Sequence, residues 1–196
     1  MKNHMKTKLK NIVKLTAVVA LAAAIVLTFS ACGEGDNSDE EGQDELGAYK
    51  ELAVGDEAPD FEAELAGGGT FKLSDADGKV VLLNFWATWC GPCCEEMPAF
   101  ERLYKEYDAD EVQILAVNVA EPKSDLDRFI EDNGYTFPIA YDEEGIITAD
   151  LYPTEGIPYT VVIGKDGTIT ETFVGASSAD AQYKIYKKAI DEALAK

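Results

Sequence analysis

The residues best suited to chemistry cluster at Trp89-Cys90-Gly91-Pro92-Cys93-Cys94. A thiolate attacks disulfides and also leaves from them, so a Cys-x-x-Cys pair at the start of a helix supports thiol-disulfide exchange. With Cys90 at the helix N-terminus, unpaired backbone amides and the macrodipole stabilise its thiolate. Cys93 then falls on the same face, close enough to attack a mixed disulfide formed through Cys90 and release the reduced substrate. Pro92 in the first turn lacks only an amide hydrogen that the helix leaves unpaired in any case. The same pair also fits a structural disulfide, or half of a zinc knuckle, although the sequence offers no second Cys or His pair to complete one. Cys94 lies about 100° around the helix from Cys93 and four residues from Cys90. It reads either as an inert thiol, packed or at the surface, or as a backup resolving thiol.

Little other nucleophilic chemistry is open to this chain. Its 196 residues include one His, His4, in a leader that the reading below removes. Without imidazole there is no Ser-His-Asp triad, Cys-His pair, HExxH metal site or proximal haem ligand. No metal and no cofactor are expected. Lys+Arg total 17 against 37 Asp+Glu, a formal net charge of -20. That excess disfavours nucleic acid and anionic membrane surfaces as electrostatic partners.

The elements that must position the cysteines can be read from apolar patterning. Val80-Val81-Leu82-Leu83-Asn84-Phe85-Trp86 is a nearly continuous apolar run, the pattern of a strand buried on both faces. Runs at 112–119 and 159–163 repeat it. Met97, Phe100, Tyr104 and Tyr107 have helical spacing after the cysteines. So do Leu126, Phe129 and Ile130, in a segment opened by Ser124 and closed by Gly134. A last helix carries Tyr183, Tyr186, Ile190 and Leu194, with Ser177 as its candidate cap. Gly164-Lys165-Asp166-Gly167 between two apolar runs predicts a hairpin. The expectation is an α/β domain with a central mixed sheet flanked by helices.

The N-terminus has a different character. Five Lys precede a 15-residue apolar run, Leu15 to Phe29, which ends in Ser30-Ala31 before Cys32. This reads as a secretory signal peptide over residues 1–31; the alternative, a membrane-spanning anchor, calls for about 20 apolar residues. Residues 33–48 hold seven acids, four Gly and a single large aliphatic, Leu46, too little apolar surface to offset the entropy of ordering. The expected organisation is a leader over 1–31, an acidic flexible tether over 32–49 and one domain over 50–196.

Phe29-Ser30-Ala31-Cys32 resembles the lipobox of bacterial lipoproteins, with Phe29 where Leu is usual. That resemblance implies a lipid on the sulfur of Cys32, anchoring the mature chain to the extracytoplasmic face of the cell membrane. Asn84-Phe85-Trp86-Ala87-Thr88-Trp89-Cys90-Gly91-Pro92-Cys93, followed by Glu96 and Pro98, resembles the extracytoplasmic thioredoxin-like proteins of the TlpA and ResA type. The likeness runs from about Val54 to the C-terminus and includes Gly55-Asp56-Glu57-Ala58-Pro59-Asp60-Phe61, Ala116-Val117-Asn118-Val119 and Ile157-Pro158. It implies a thioredoxin-like fold with an inserted strand and helix after the active-site helix. It also implies a membrane-tethered thiol-disulfide oxidoreductase that reduces disulfides of extracytoplasmic clients such as apocytochrome c. A membrane thiol donor of the CcdA/DsbD type would recharge it.

Three positions take their meaning from this resemblance. Cytoplasmic thioredoxins have a titrating Asp where this chain has Asn84, so a proton from the second thiol must go elsewhere. Glu121 is the acid/base that the ResA group implies, against the plain reading of a solvated loop acid. On spacing alone Pro158 opens a strand with an ordinary trans bond. The family instead implies a cis-Pro beside the cysteines, with the backbone of Ile157 facing the substrate.

Other functions have their own signatures. A thiol peroxidase of the peroxiredoxin type is the alternative enzyme, but its Thr-x-x-Cys motif is not met by Thr88-Trp89-Cys90. An oxidant of folding proteins fits less well than a reductant. Thioredoxin, with Gly-Pro between its cysteines, lies at about -270 mV, whereas DsbA lies at about -120 mV. A thioredoxin domain that only binds a partner would be indifferent to loss of both thiols.

Overall fold

The structure, a computed structural model, describes residues 51–196. The leader, Cys32 and the acidic tether lie outside the described residues. A short antiparallel hairpin, β1 (Glu62–Glu64) and β2 (Thr70–Lys72), precedes the main sheet. The sheet has five strands: β3 (Val80–Trp86), β4 (Val112–Val119), β5 (Ile139–Asp142), β6 (Tyr159–Ile163) and β7 (Ile169–Val174). Their order is β5-β4-β3-β6-β7, with β5, β4 and β3 parallel and β6 and β7 antiparallel to their neighbours. Helix α1 (Gly91–Glu106) follows β3, α2 (Lys123–Asn133) follows β4, and α3 (Ala179–Leu194) ends the fold. This is the mixed α/β sheet expected, with the Gly164 to Gly167 turn joining β6 to β7.

Strand β3 is buried at all seven positions because β4 and β6 flank it and both of its faces are covered. Val80, Leu82 and Trp86 pack with Met97, Phe100 and Leu103 of α1, Leu126 of α2 and Tyr186 and Ile190 of α3. Val81, Leu83 and Phe85 face the other way, onto Phe61, Leu73 and Tyr152. Pro98 lies inside α1 and cannot donate to the carbonyl of Cys94. Packing of Met97 and Phe100, roughly 2 kcal/mol for each fully buried side chain, therefore has to hold the cysteine-bearing turn to the rest of the helix.

Two caps differ from the sequence expectation. Helix α2 starts at Lys123 with Pro122 at its N-cap, so Ser124 already lies within the helix. Pro122 supplies a fixed φ of -58° just where the chain turns into the helix, which leaves Ser124 no capping role. The N-cap position of α3 is Ser178, not Ser177, and its side chain makes no capping bond; the amide of Ser177 donates to Gln182 Oε1. Gly134 closes α2 as expected, in the left-handed region with φ of 68°.

The topology gathers the site at one edge of the sheet. Trp86 pairs with Asn118 and Phe85 with Tyr159. The carboxyl ends of β3 and β4 and the start of β6 therefore meet, bringing the Cys90 turn, Glu121 and Pro158 together.

Candidate active site

Cys90 is the N-cap of α1 and forms a disulfide with Cys93. The backbone amide of Cys93 donates to Cys90 Sγ at 3.3 Å, one of the orphan amides of the helix start turned onto the sulfur. Of the two sulfur-bearing residues Cys90 is the accessible one, 6% exposed against 0% for Cys93. Trp89 stands beside it, 70% exposed. Gly91 and Pro92 open the helix and are exposed.

Cys90 Sγ lies 3.8 Å from the carbonyl oxygen of Ile157, and the Ile157-Pro158 peptide bond is cis. Pro158 is buried and Ile157 half-buried. The amide of Gly175 donates to the carbonyl of Pro158 at 2.8 Å, which brings the end of β7 to the rim.

Glu121 is not a solvated loop acid; it is buried and its carboxylate is fully engaged. It accepts from Thr88 N at 2.7 Å, Thr88 Oγ1 at 2.6 Å and Asn118 Nδ2 at 2.6 Å. Ala120, before it, takes a left-handed φ of 53°, the single positive φ of a non-glycine among the described residues. That turn aims Glu121 back across the strand ends at Thr88, two residues before Cys90. An alanine carries no sequence signal for such a conformation.

The third thiol is engaged by the backbone of Thr88. Cys94 Sγ donates to Thr88 O at 3.2 Å. Burial, reinforced by the charge of Glu121, raises its pKa, so fewer thiolates are available for attack at neutral pH. Thr88 thus receives the Cys94 thiol on its carbonyl and offers its amide and hydroxyl to Glu121.

Beneath the disulfide lies a second carboxylate that sequence reasoning left as part of a motif. Glu96, one turn beyond Cys93, is 0% exposed. It accepts from Asn84 Nδ2 at 2.9 Å and from Tyr186 OH at 2.8 Å. Asn84 Nδ2 also donates to Thr160 Oγ1, and Gln182 Nε2 donates to Tyr186 OH. Burial pushes the Glu96 carboxyl up to about 7, against hydrogen bonds from Tyr186, Asn84 and Gln182 that lower it. Asn84 Oδ1 is buried without a partner, a penalty of about 1–3 kcal/mol. The missed signal was periodicity. Cys93, Glu96, Met97 and Phe100 recur at i, i+3, i+4 and i+7, so Glu96 shares the buried face of α1.

Residues 54–172 match the AhpC/TSA family. The thiol-disulfide oxidoreductase ResA of Oceanobacillus iheyensis is 36% identical over 185 residues, spanning 91% of this chain and 90% of that protein. ResA of Geobacillus kaustophilus is 42% identical over 129 residues, 66% of this chain and 74% of that one. Among solved structures, the exposed lipoprotein thioredoxin Etrx1 of Streptococcus pneumoniae superposes with a TM-score of 0.58 at 29% identity, covering 66% of this chain and 99% of its own. With the Cys90-Cys93 pair at the mouth of a thioredoxin-like sheet, the chain belongs to the AhpC/TSA family and is a thiol-disulfide oxidoreductase of the ResA type.

Proposed function

We propose that the protein is a membrane-tethered, extracytoplasmic reductant of client disulfides, acting through a Cys90/Cys93 dithiol. The observation that carries this reading is the Cys90-Cys93 pair at the N-terminus of α1, with the more accessible sulfur facing the Ile157 carbonyl. The Cys90 thiolate attacks one sulfur of the client cystine and expels the other as a thiolate. Cys93 then attacks Cys90 Sγ and releases the second client thiolate. Two electrons pass to the client and the Cys90-Cys93 disulfide forms. A thiol donor of the CcdA/DsbD type returns the pair to the dithiol, and apocytochrome c is the client class that the resemblance to ResA suggests. Ile157 and Pro158 offer the backbone against which an extended client segment lies.

Two carboxylates divide the supporting work. Glu121 anchors the turn leading into Cys90 through Thr88. Glu96, with a pKa of about 7, is the group able to take up or return a proton near neutral pH on the Cys93 side of the helix. The leader with Cys32 would place the domain outside the cell on a lipid, a reading supported by the pneumococcal neighbour Etrx1, itself an exposed lipoprotein.

A peroxidase reading gains nothing from Thr88, whose hydroxyl is committed to Glu121. The direction of electron flow is tested by redox titration. A couple near the thioredoxin value of about -270 mV is expected, and a value near the DsbA end, about -120 mV, would reverse the assignment to an oxidant.

A further inference from the structure

Four segments meet around Cys90: 86–96, 118–122, 153–159 and 173–178. Together they hold Glu95, Glu96, Glu121 and Glu155, and no Lys or Arg. Glu96 and Glu121 are buried and hydrogen-bonded within the fold. Glu95 and Glu155 are exposed and have no ion-pair partner among the described residues. Glu95 follows the cysteines on α1, and Glu155 lies two residues before Ile157, whose carbonyl is 3.8 Å from Cys90 Sγ. The nearest cation in sequence, Lys123, is tied to Glu64 at 2.6 Å. The exposed side chains near Cys90 are otherwise apolar: Trp89, next to it in sequence, is 70% exposed and Val174, beside the Pro158-Gly175 contact, 61%.

We propose that this face selects client segments whose cystine is flanked by Lys or Arg and discriminates against acidic ones; the proposal rests on the reductase reading above. The apolar rim supplies contact with any extended segment. Glu95 lies on the helix that Cys90 caps and Glu155 two residues before Ile157, so both exposed carboxylates border the segments that such a client meets, where a cation beside the client cysteine is attracted and an anion repelled. The net charge of -20 adds a field of the same sign at longer range. At physiological salt the Debye length is about 8 Å, so selectivity that survives there must come from carboxylates close to the reacting sulfur. The electron balance is unchanged: dithiol plus client cystine gives protein disulfide plus two client thiols.

The test uses the full chain in a non-ionic detergent, pre-reduced and freed of reductant. Rates of reaction are measured with three small disulfides: cystamine, doubly positive, bis(2-hydroxyethyl) disulfide, neutral, and dithiodiglycolate, doubly negative. Each rate is divided by that of dithiothreitol with the same disulfide, which removes intrinsic reactivity. At low salt the cationic-to-anionic ratio should be about tenfold or more, falling steeply by 0.5 M salt. In Glu95→Gln/Glu155→Gln the ratio should drop at least about threefold while the neutral disulfide reports any general change in thiol reactivity. Asp75→Asn/Asp77→Asn, at the far end of β3, should leave the ratio as it is. A wild-type ratio near one overturns the proposal. So does a ratio unchanged in Glu95→Gln/Glu155→Gln, or one lowered as much by Asp75→Asn/Asp77→Asn, since the selectivity would then belong to the overall charge and not to this face. If none of the three disulfides is reduced, the reductase reading itself falls, and this proposal with it.

Discussion

Asn84 Nδ2 donates a 2.9 Å hydrogen bond to Glu96 Oε1, joining the middle of the central strand to the buried face of the helix that carries both reactive cysteines. An amide at this point in the strand solvates a carboxylate without adding a second charge. An aspartate there would face Glu96 as a like charge in a site of low dielectric. The carboxylate of this buried pair sits on the helix, one turn from Cys93.

The first prediction is a stability profile. Folded Glu96 keeps its proton up to about 7, whereas the unfolded chain releases it near the ordinary glutamate value of 4.5. Stability from this group is full below the unfolded value and is lost as pH rises to the folded one. At about 1.4 kcal/mol for each pKa unit, wild type should lose about 3 kcal/mol between pH 4.5 and 7 relative to Glu96→Gln. Other acids titrate alike in both proteins and cancel in the difference. Urea unfolding at pH 5, 6, 7 and 8 measures it, and parallel curves for the two proteins would show that Glu96 is ionised throughout.

Tyr186→Phe tests the same network from the other side. The lost hydroxyl donates to Glu96 Oε2 at 2.8 Å and lowers the carboxyl's pKa. Its removal should raise the midpoint of Glu96 titration above that of wild type and lower stability by about 1 kcal/mol. Side-chain carboxyl carbon NMR reads the midpoint directly. A midpoint that moves down instead would mean that the tyrosine stabilises the neutral acid.

For Glu121 the expected cost is structural as well as kinetic. In Glu121→Gln an NH2 group turns toward donors, so at least one of Thr88 N, Thr88 Oγ1 and Asn118 Nδ2 loses its acceptor. The loss should be about 1–3 kcal/mol of stability. Disulfide reduction should slow as well, because the backbone entering Cys90 loses its anchor. Calorimetry and reduction rates from pH 5 to 9 test both together. A wild-type rate at every pH would make Glu121 a bystander to the reaction.

Much of this fold was legible because its signals are local. The apolar run 80–86, interrupted only at Asn84, announced a strand buried on both faces, and Gly134 announced the end of α2. The short elements were not. Strands β1, β2 and β5 have three or four residues each, too few for a period to show. At the site, Cys90 and Cys93 stood out by spacing, while the cis bond at Pro158 and the place of Glu121 rested on family likeness. Contacts such as Glu121 with Thr88 depend on the left-handed turn at Ala120 and on which strand ends are neighbours. Neither is written in any local pattern. Glu96 was overlooked because an acid in an acid-rich chain attracts no notice until its helical face is counted.

Cys93→Ser tests both the order of attack and the idle third thiol. Without Cys93 the exchange should stop at the mixed disulfide between Cys90 and its client, giving covalent adducts identifiable by mass in membrane extracts. Cys94 is the neighbouring thiol that could undo this, but its Sγ is directed at Thr88 O, and burial with Glu121 raises its pKa. A thiol held that way supplies little thiolate and is already bonded to the Thr88 carbonyl, so the single replacement should suffice and Cys93→Ser/Cys94→Ser should trap no more. Adduct from the double variant alone would show that Cys94 swings round to resolve the intermediate. Adduct from neither, while Cys90 still reacts with iodoacetamide, would mean that electrons do not leave this protein through Cys90.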